Sequence, residues 1–297
     1  MNNSIPQAVQ RLIAATDLSP ASDIAVEQAA LLAKEWNLEL VLLHVFNDGF
    51  WATIKALYEA ERWAVNEPVL VARNRLSQQT SELAQRHGIR VRGETRTGRA
   101  ASEIAAFGRE QDAQLLVVGE HGEDWIGDFV VGGTALKVLK RAELPVLLAR
   151  CPARADFANI IVATDFSDNA TRAAQLALHW FPRARMQLVH AYFVAFEGRM
   201  RMAGASSEDI ERYRADECSR AEQKVEAQLT AVHAKASVGK LLRLGSPATV
   251  LNEQAERLGA DLIVIGKHGG TAWDERLLGS VTQNVLYHVG CNVLLVP

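Results

Sequence analysis

Short, continuous apolar runs such as "LVLLHVF" (40–46) and "LLVVG" (115–119) alternate along the chain with longer stretches of helical periodicity. Apolar runs of this length predict strands that are buried on both faces, as in parallel sheets covered by helices. We therefore predict an α/β fold. Ser19, which is followed by Pro20, and Ser167 are the predicted N-caps of the helices after the first strand of each half.

The whole pattern occurs twice. "LIAATDLS" (12–19) returns as "IIVATDFS" (160–167), and "QLLVVGEHG" (114–122) returns as "DLIVIGKHG" (261–269). Because order and spacing hold over nearly the whole chain, the sequence predicts an internal duplication. We expect two tandem, doubly wound domains, residues 1–150 and 151–297, each built on a five-stranded parallel sheet.

Composition and charge argue against several classes of function. Hydrophobic residues make up 48% of the 297 residues and charged residues 23%, which is typical of a globular protein with a large core. A net charge of −3 gives no long-range attraction to nucleic acid or acidic membranes. The three cysteines are far apart and outside any C-x-x-C pair, which fits a reducing compartment. Without a visible leader or a long apolar run, we expect a cytoplasmic protein that binds neither nucleic acid nor membrane.

The second half carries a candidate phosphate site. Ligands of doubly wound sheets bind beyond the carboxyl ends of the strands, where Asp165 and Gly266 lie. The loop after Gly266 leads to a helix predicted to begin at "GSVT" (279–282). Helix-start N–H groups attract anions, and glycines let a phosphate approach the backbone. The hydroxyls of Ser280 and Thr282 and the charge of Lys267 are expected to add to this attraction.

The spacing Gly266-x2-Gly269-x9-Gly279-Ser280 resembles the ATP-binding motif of the universal stress protein family, G-x2-G-x9-G-[ST]. "ATDFS" after the first strand and "LVHA" in the second resemble that family too, and the likeness covers both halves. The resemblance implies a Rossmann-like sheet that binds ATP, with or without Mg²⁺, and has neither catalytic residues nor a protein metal site. The residues that it implies for ATP are Ala163, Thr164, Asp165, Ala191, Ile265, Gly266, Lys267, His268, Gly269, Gly279, Ser280, Val281 and Thr282.

The resemblance also implies roles for these residues. The stretch 163–165 is expected against the ribose and adenine, Ala191 is expected to offer its backbone to the adenine, and the glycine loop and helix start are expected to hold the phosphates. His268 lacks an aligned nucleophile and is interpreted as a loop residue rather than a general base. His44 and His190 end buried strands and are interpreted as structural histidines.

The first half keeps the glycines and loses other groups. Gly133-Thr134-Ala135 stands where the second half has "SVT", so both hydroxyl positions are lost, and Glu120 replaces Lys267. The nearby acids Glu123, Asp124 and Asp128 are expected to repel phosphate further. We predict a weak or vestigial site formed by Asp17, Val45, Gly119, Gly122, Gly132, Gly133 and Thr134. The alternative is that the acids face solvent and the glycines still bind phosphate.

The leading interpretation is a regulatory, stress-response protein that binds an adenine nucleotide mainly in its second half. The halves are expected to pair through their last strands as an intrachain pseudo-dimer, which leaves further homo-oligomers open. The alternatives are a nucleotide-free scaffold or chaperone-like partner binder and, less favoured, an ATP-cleaving enzyme on the same sheet. The S-G-G-x-D-S loop of ATP-pyrophosphate-cleaving ligases is missing, and the sequence identifies no protein partner.

Overall fold

The computed structural model describes residues 10–47, 68–122, 131–192, 197–234, 238–269 and 277–297. The chain divides into two compact units, Met1–Ala155 and Asp156–Pro297. The elements of the first unit are β1 (Arg11–Ala15), α1 (Asp23–Trp36), β2 (Glu39–Phe46), α2 (Pro68–His87), β3 (Val91–Thr97), α3 (Ala100–Glu110), β4 (Leu115–Gly119), α4 (Gly133–Arg141) and β5 (Val146–Ala149).

The second unit repeats this order of strands and contains a short helix, α6, that the sequence pattern did not predict. Its elements are β6 (Asn159–Ala163), α5 (Asp168–Trp180), β7 (Arg185–Tyr192), α6 (Glu197–Met202), α7 (Ser207–Ala231), β8 (Gly239–Leu244), α8 (Pro247–Leu258), β9 (Leu262–Gly266), α9 (Ser280–His288) and β10 (Asn292–Val296).

Among the residues that the structure describes, each unit contains five parallel strands. Their order is β3-β2-β1-β4-β5 in the first unit and β8-β7-β6-β9-β10 in the second. The chain reverses its direction of winding between β1 and β4, and again between β6 and β9. The predicted α/β fold with five-stranded parallel sheets is confirmed, and the switch points lie where Asp17 and Asp165 follow their strands.

The central strands form the core of each unit. Leu12, Ile13 and Leu116 in the first unit, and Ile263 and Val264 in the second, are fully buried. Burial of each such side chain contributes about 1.5–3 kcal/mol relative to leaving it exposed. The helices contact each other in pairs, α1 with α2 and α8 with α9, and cover the sheets. The core therefore holds the strand ends, where the loops of interest begin, in a fixed arrangement.

One predicted helix cap is confirmed and the other is wrong. Ser167 caps α5, and its side chain accepts a hydrogen bond from the Ala170 N–H at 3.2 Å. In the first unit α1 begins later, at Asp23, with Ser22 as its N-cap residue. Ser19 does not cap α1 because the chain from 19 to 22 forms a separate turn, in which the Ser22 N–H donates to the Ser19 carbonyl at 3.1 Å.

The long helix α7 starts with a reciprocal capping box between Ser206 and Asp209. Ile210, Ala221 and Val225 of this helix are buried. Gln228 is buried on the same helix and is 6% exposed, which the apolar pattern did not predict. A buried amide needs hydrogen-bond partners, so this residue is a candidate for a specific role.

Candidate functional site

The turn between β6 and α5 is the first element of the candidate site in the second unit. The Asp165 Oδ1 atom accepts hydrogen bonds from the Ser167 N–H at 3.0 Å and from the Ser167 hydroxyl at 2.5 Å. Phe166 between them has a left-handed backbone, with φ at 67°. Its N–H donates to the Thr164 hydroxyl oxygen at 3.0 Å. These bonds fix the backbone and the Asp165 side chain at the carboxyl end of the sheet.

The glycine loop after β9 packs directly against this turn. A Cβ atom on Gly269 would lie 2.6 Å from the Asp165 Oδ2 atom, closer than a real side chain allows. A Cβ atom on Gly266 would lie 3.1 Å from the Asn169 Cβ atom at the start of α5. A residue larger than glycine at position 269 would therefore collide with the Asp165 turn, and at position 266 it would be tightly packed.

The first turn of α9 presents its backbone donors to the same place. Gly279 precedes the helix, and its N–H donates to the Lys267 carbonyl at 3.1 Å. The N–H groups of Ser280, Val281 and Thr282 have no acceptor among the residues that the structure describes. Such unsatisfied donors carry the positive end of the helix dipole, so this helix start can bind an anion.

These three elements line a cavity of about 500 Å³. All of the residues predicted for ATP line it except Lys267. The cavity also has apolar lining residues that the sequence did not predict, among them Val189, Pro247 and Leu251. A signal was available, because Pro247 and Leu251 lie at the start of α8, which follows the carboxyl end of β8 and so meets the same sheet edge.

Two expectations about charge and hydroxyl groups need correction. Lys267 is 5% exposed and does not line the cavity. The geometry therefore does not support the expected attraction between its ammonium group and a phosphate. The Thr282 hydroxyl donates to the Gly266 carbonyl at 3.0 Å, and this residue is 3% exposed. Thr282 therefore ties α9 to the glycine loop through its side chain. Ser280 is exposed, and its hydroxyl is the one placed to meet a ligand.

The first unit repeats the same framework around a smaller cavity of about 340 Å³. Asp17 accepts from the Ser19 N–H at 3.1 Å, and Leu18 has a left-handed φ of 65°. A Cβ atom on Gly122 would lie 2.5 Å from the Asp17 Oδ2 atom. Every residue predicted for the weak or vestigial site lines this cavity: Asp17, Val45, Gly119, Gly122, Gly132, Gly133 and Thr134.

Comparison with known proteins identifies the family. A sequence model of the universal stress protein family matches residues 8–150 and again residues 156–297. The chain belongs to the universal stress protein family.

Individual relatives agree with this assignment. A universal stress protein of Mycolicibacterium smegmatis is 25% identical over 297 residues and covers 96% of each chain. The Thermus aquaticus universal stress protein in the QAH/OAS sulfhydrylase 3′ region is 34% identical over 144 residues, which are 47% of this chain and 98% of that relative. A crystal structure of a universal stress protein from Archaeoglobus fulgidus superimposes with a TM-score of 0.65 at 17% identity, over 98% of this chain and 99% of that one. At this sequence identity, the structural similarity shows the fold alone.

The acidic residue in the glycine loop of the first universal stress protein unit is paired. The Glu120 Oε1 atom lies 2.9 Å from the Arg150 Nε atom. The Arg150 side chain is 5% exposed and that of Glu120 is 25% exposed. The expected repulsion between Glu120 and a phosphate is therefore reduced by a neighbouring positive charge. The other acids of this loop, Glu123, Asp124 and Asp128, lie outside the described residues.

Both histidines at the ends of the second strands support the aspartate turns. The Nδ1 atoms of His44 and His190 lie 3.0 and 2.8 Å from the carbonyl oxygens of Thr16 and Thr164. A carbonyl oxygen only accepts, so Nδ1 carries the proton. Burial lowers the pKa of His190, against the hydrogen bond to Thr164, which raises it. The ring centroid of His190 lies 4.2 Å from that of Phe166, so this histidine packs against the turn.

No group of three or more His, Cys, Asp or Glu residues in the described ranges could hold a metal ion. In the same ranges, no helix combines the length and the apolar composition that crossing a membrane requires.

Proposed function

We propose that this universal stress protein binds ATP in the cavity of its second unit and acts in a stress response as a regulatory protein. The observation that carries the proposal is the convergence of three elements on one cavity of about 500 Å³: the Asp165 turn, the loop from Gly266 to Gly269, and the start of α9. The cavity is lined both by backbone donors and by apolar side chains, as a nucleotide requires.

The phosphates are proposed to lie at the start of α9. Three N–H groups, those of residues 280–282, have no acceptor among the described residues, and the Ser280 hydroxyl is exposed beside them. Each hydrogen bond to a charged group contributes about 1.5–3 kcal/mol. Because Lys267 does not line the cavity, we propose that Mg²⁺ bound with the ATP supplies positive charge.

The base is proposed to lie against the apolar lining residues. Val189, Leu251 and Ile265 line the cavity, and Ala191 at the end of β7 can offer its backbone to the adenine edge. Asp165 has one oxygen engaged by Ser167, and its other oxygen faces the glycine loop, where the ribose hydroxyls are proposed to bind. His268 lines the cavity beside these groups and is proposed as a binding residue, so the role is binding and not catalysis.

The first unit is proposed to be the weaker site, so the protein holds one nucleotide per chain at moderate concentrations. Its cavity is smaller, at about 340 Å³. Gly133 and Ala135 stand where the second unit has Ser280 and Thr282, so the first helix turn offers fewer hydroxyls. The domains 1–150 and 151–297 would then share one fold and differ in ligand occupancy.

A matched pair of glycine variants tests the proposal in the full chain. Gly269→Ala forces a methyl group against Asp165, and Gly122→Ala forces one against Asp17. Calorimetric titration with MgATP is expected to give one tight site in the wild type. Gly269→Ala should weaken it about tenfold or more, while Gly122→Ala should leave it unchanged, because the same strain then lies in the other unit. No binding to the wild type, or equal losses in both variants, would contradict the proposal.

Two further parts of the proposal concern assembly and location. The pairing of the halves through their last strands stays a prediction, and it can be tested by producing residues 1–150 and 151–297 separately and measuring whether they associate. We also propose a cytoplasmic location, which fractionation of cells that produce the protein would test.

A further inference from the structure

A buried glutamine on α7 is bonded to the turn that forms one wall of the cavity. The Thr164 hydroxyl donates to the Gln228 Oε1 atom at 2.7 Å. The Gln228 Nε2 atom donates in turn to the Thr171 hydroxyl oxygen on α5 at 3.1 Å. Gln228 is 6% exposed and Thr164 is 8% exposed. Thr164 lines the cavity, whereas Gln228 does not, so the hydrogen bond to Thr164 is the direct link between Gln228 and the cavity wall.

The bond from Thr164 to Gln228 sets the direction of the Thr164 hydroxyl. A hydroxyl has one hydrogen and two lone pairs, so donation to Gln228 leaves a lone pair for the Phe166 N–H, which lies 3.0 Å away. Phe166 has a left-handed φ of 67°, which a residue with a side chain holds only when its surroundings fix it. The Gln228 amide therefore supports the backbone on either side of Asp165.

A second residue on α7 contacts the same turn. The Lys224 Nζ atom lies 5.8 Å from the centroid of the Phe166 ring, within range of a cation–π contact. Lys224 and Gln228 are four residues apart and so lie on one face of the helix. The end of α7 thus meets the Asp165 turn with two side chains, and Gln228 is the one that is buried and bonded.

The first unit supports its turn in a different way. The Thr16 hydroxyl lies 3.0 Å from the Ser22 hydroxyl, and Ser22 donates its hydrogen to the Ser19 carbonyl at 2.9 Å. Thr16 therefore donates to Ser22, which comes just before α1. Ala170 stands at the position of Ser22 in the second unit, and it has no hydroxyl. The second turn has replaced a local acceptor with one from a helix more than 60 residues away.

We propose that Gln228 is a positioning residue of the nucleotide site, which holds the Thr164 hydroxyl and so keeps the Asp165 turn in the geometry that binds the ligand. This inference rests on the proposed function and extends it to a residue that does not contact the nucleotide. The proposal also means that a displacement of the end of α7 changes the nucleotide affinity of the second unit.

A double-mutant cycle in the full chain tests this role. Gln228→Met keeps the size of the side chain and removes both hydrogen bonds. MgATP affinity measured by calorimetry is expected to fall about fivefold, which corresponds to about 1 kcal/mol. In a Thr164→Val background the same substitution is expected to change affinity by less than about twofold, because the hydroxyl through which Gln228 acts is already gone.

Gln79→Met is the matched control. Gln79 on α2 donates to the Asp23 side chain on α1 at 2.9 Å, which is the comparable contact between helices in the first unit. This variant can lower the melting temperature but should leave the affinity unchanged. Should Gln228→Met fail to fold, Thr171→Val removes the acceptor that fixes the Gln228 amide, and we expect about a twofold loss that is again absent in the Thr164→Val background.

Each outcome separates the two proposals. No MgATP binding to the wild type would contradict the proposed function. Wild-type binding with an unchanged affinity in Gln228→Met would overturn the positioning role alone. Equal losses from Gln228→Met in the wild-type and Thr164→Val backgrounds would also overturn it, because the glutamine would then act by another route.

Discussion

The two aspartate turns have the same backbone and different side-chain supports. Leu18 and Phe166 have nearly equal left-handed φ values of 65° and 67°, and in each turn the aspartate accepts two bonds from the serine two residues later. The hydroxyl of the preceding threonine is held by Ser22 in the first unit and by Gln228 in the second. The comparison shows that the short motif "ATD-x-S" determines the turn, while the residue that stabilises it can be exchanged.

The two glycine loops also share a backbone contact and differ in the side chains around it. A methyl group on Gly122 or Gly269 would collide with the neighbouring aspartate in either unit. The charged residues beside these glycines have unlike surroundings, since Glu120 is paired with Arg150 and Lys267 is buried away from the cavity. The electrostatic difference between the sites is therefore smaller than the two residue types suggest. Cavity volume and the hydroxyls at the helix start remain as the larger differences.

The largest effects are expected from removing the two hydroxyls of α9, and the two substitutions should affect different properties. Ser280→Ala should weaken MgATP binding about tenfold or more, because a hydrogen bond to a charged group contributes about 1.5–3 kcal/mol, and stability should not change at this exposed position. Thr282→Val should lower the free energy of unfolding of the second unit by about 1–3 kcal/mol, because the Gly266 carbonyl loses its donor. Calorimetry and denaturant unfolding measure the two effects.

Thr134→Ala is the control in the first unit, where the exposed hydroxyl is displaced by one position, and it should change neither quantity. If Thr282→Val weakened binding with unchanged stability, both hydroxyls would face the phosphates, as the sequence alone predicted. The assignment of a binding role to the Ser280 hydroxyl and a structural role to the Thr282 hydroxyl would then be incorrect.

A smaller effect is expected from the ion pair in the first unit. Glu120→Gln removes the ion pair between the Glu120 carboxylate and the Arg150 guanidinium, and the Arg150 side chain is 5% exposed. Because the Glu120 side chain is 25% exposed and partly screened, we expect a loss of only about 1 kcal/mol in the stability of the first unit. Removing the negative charge of Glu120 should also raise MgATP affinity there up to about fivefold, measured in the Gly269→Ala background.

An exposed ion pair of the same unit gives the control. The Arg109 and Glu143 side chains lie 3.6 Å apart and are 67% and 69% exposed, so Glu143→Gln should change stability very little. If Glu120→Gln left the affinity of the first site unchanged, the charge of this loop would not control occupancy. The smaller cavity would then be the more important difference between the units.

The features that the sequence predicted correctly are those that depend on the local pattern of residues. Apolar runs such as those of β4 and β9 determine the strands, and the G-x2-G spacing marks a close contact with an aspartate that follows another strand. What the sequence could not predict depends on side chains that meet across the fold. The bond from Gln228 to Thr164 joins positions 64 apart, and the pairing of Glu120 with Arg150 needs neighbouring strands. Helical periodicity indicates which face is buried, but it does not indicate which polar residue that face includes.

The smallest expected effect concerns the pH dependence of the second turn. Burial lowers the pKa of His190 in the folded protein below its ordinary value of 6.5, against the Thr164 hydrogen bond and the Asp165 charge, which raise it. The unfolded chain therefore takes up a proton at a higher pH than the folded protein. The contribution of His190 to stability is complete above about pH 6.5 and decreases as the pH falls through that value towards the folded pKa.

His190→Asn tests this contribution, because the Asn side-chain amide can still donate to the Thr164 carbonyl and does not titrate. The difference in unfolding free energy between the wild type and the variant should shrink as the pH falls from 7.5 to 5.5. Its slope should stay below the limit of about 1.4 kcal/mol per pH unit for one proton, because the ring is partly exposed and solvent screens it. A difference that is constant over this range, or that grows as the pH falls, would contradict a lowered pKa and would mean that burial does not dominate at this histidine.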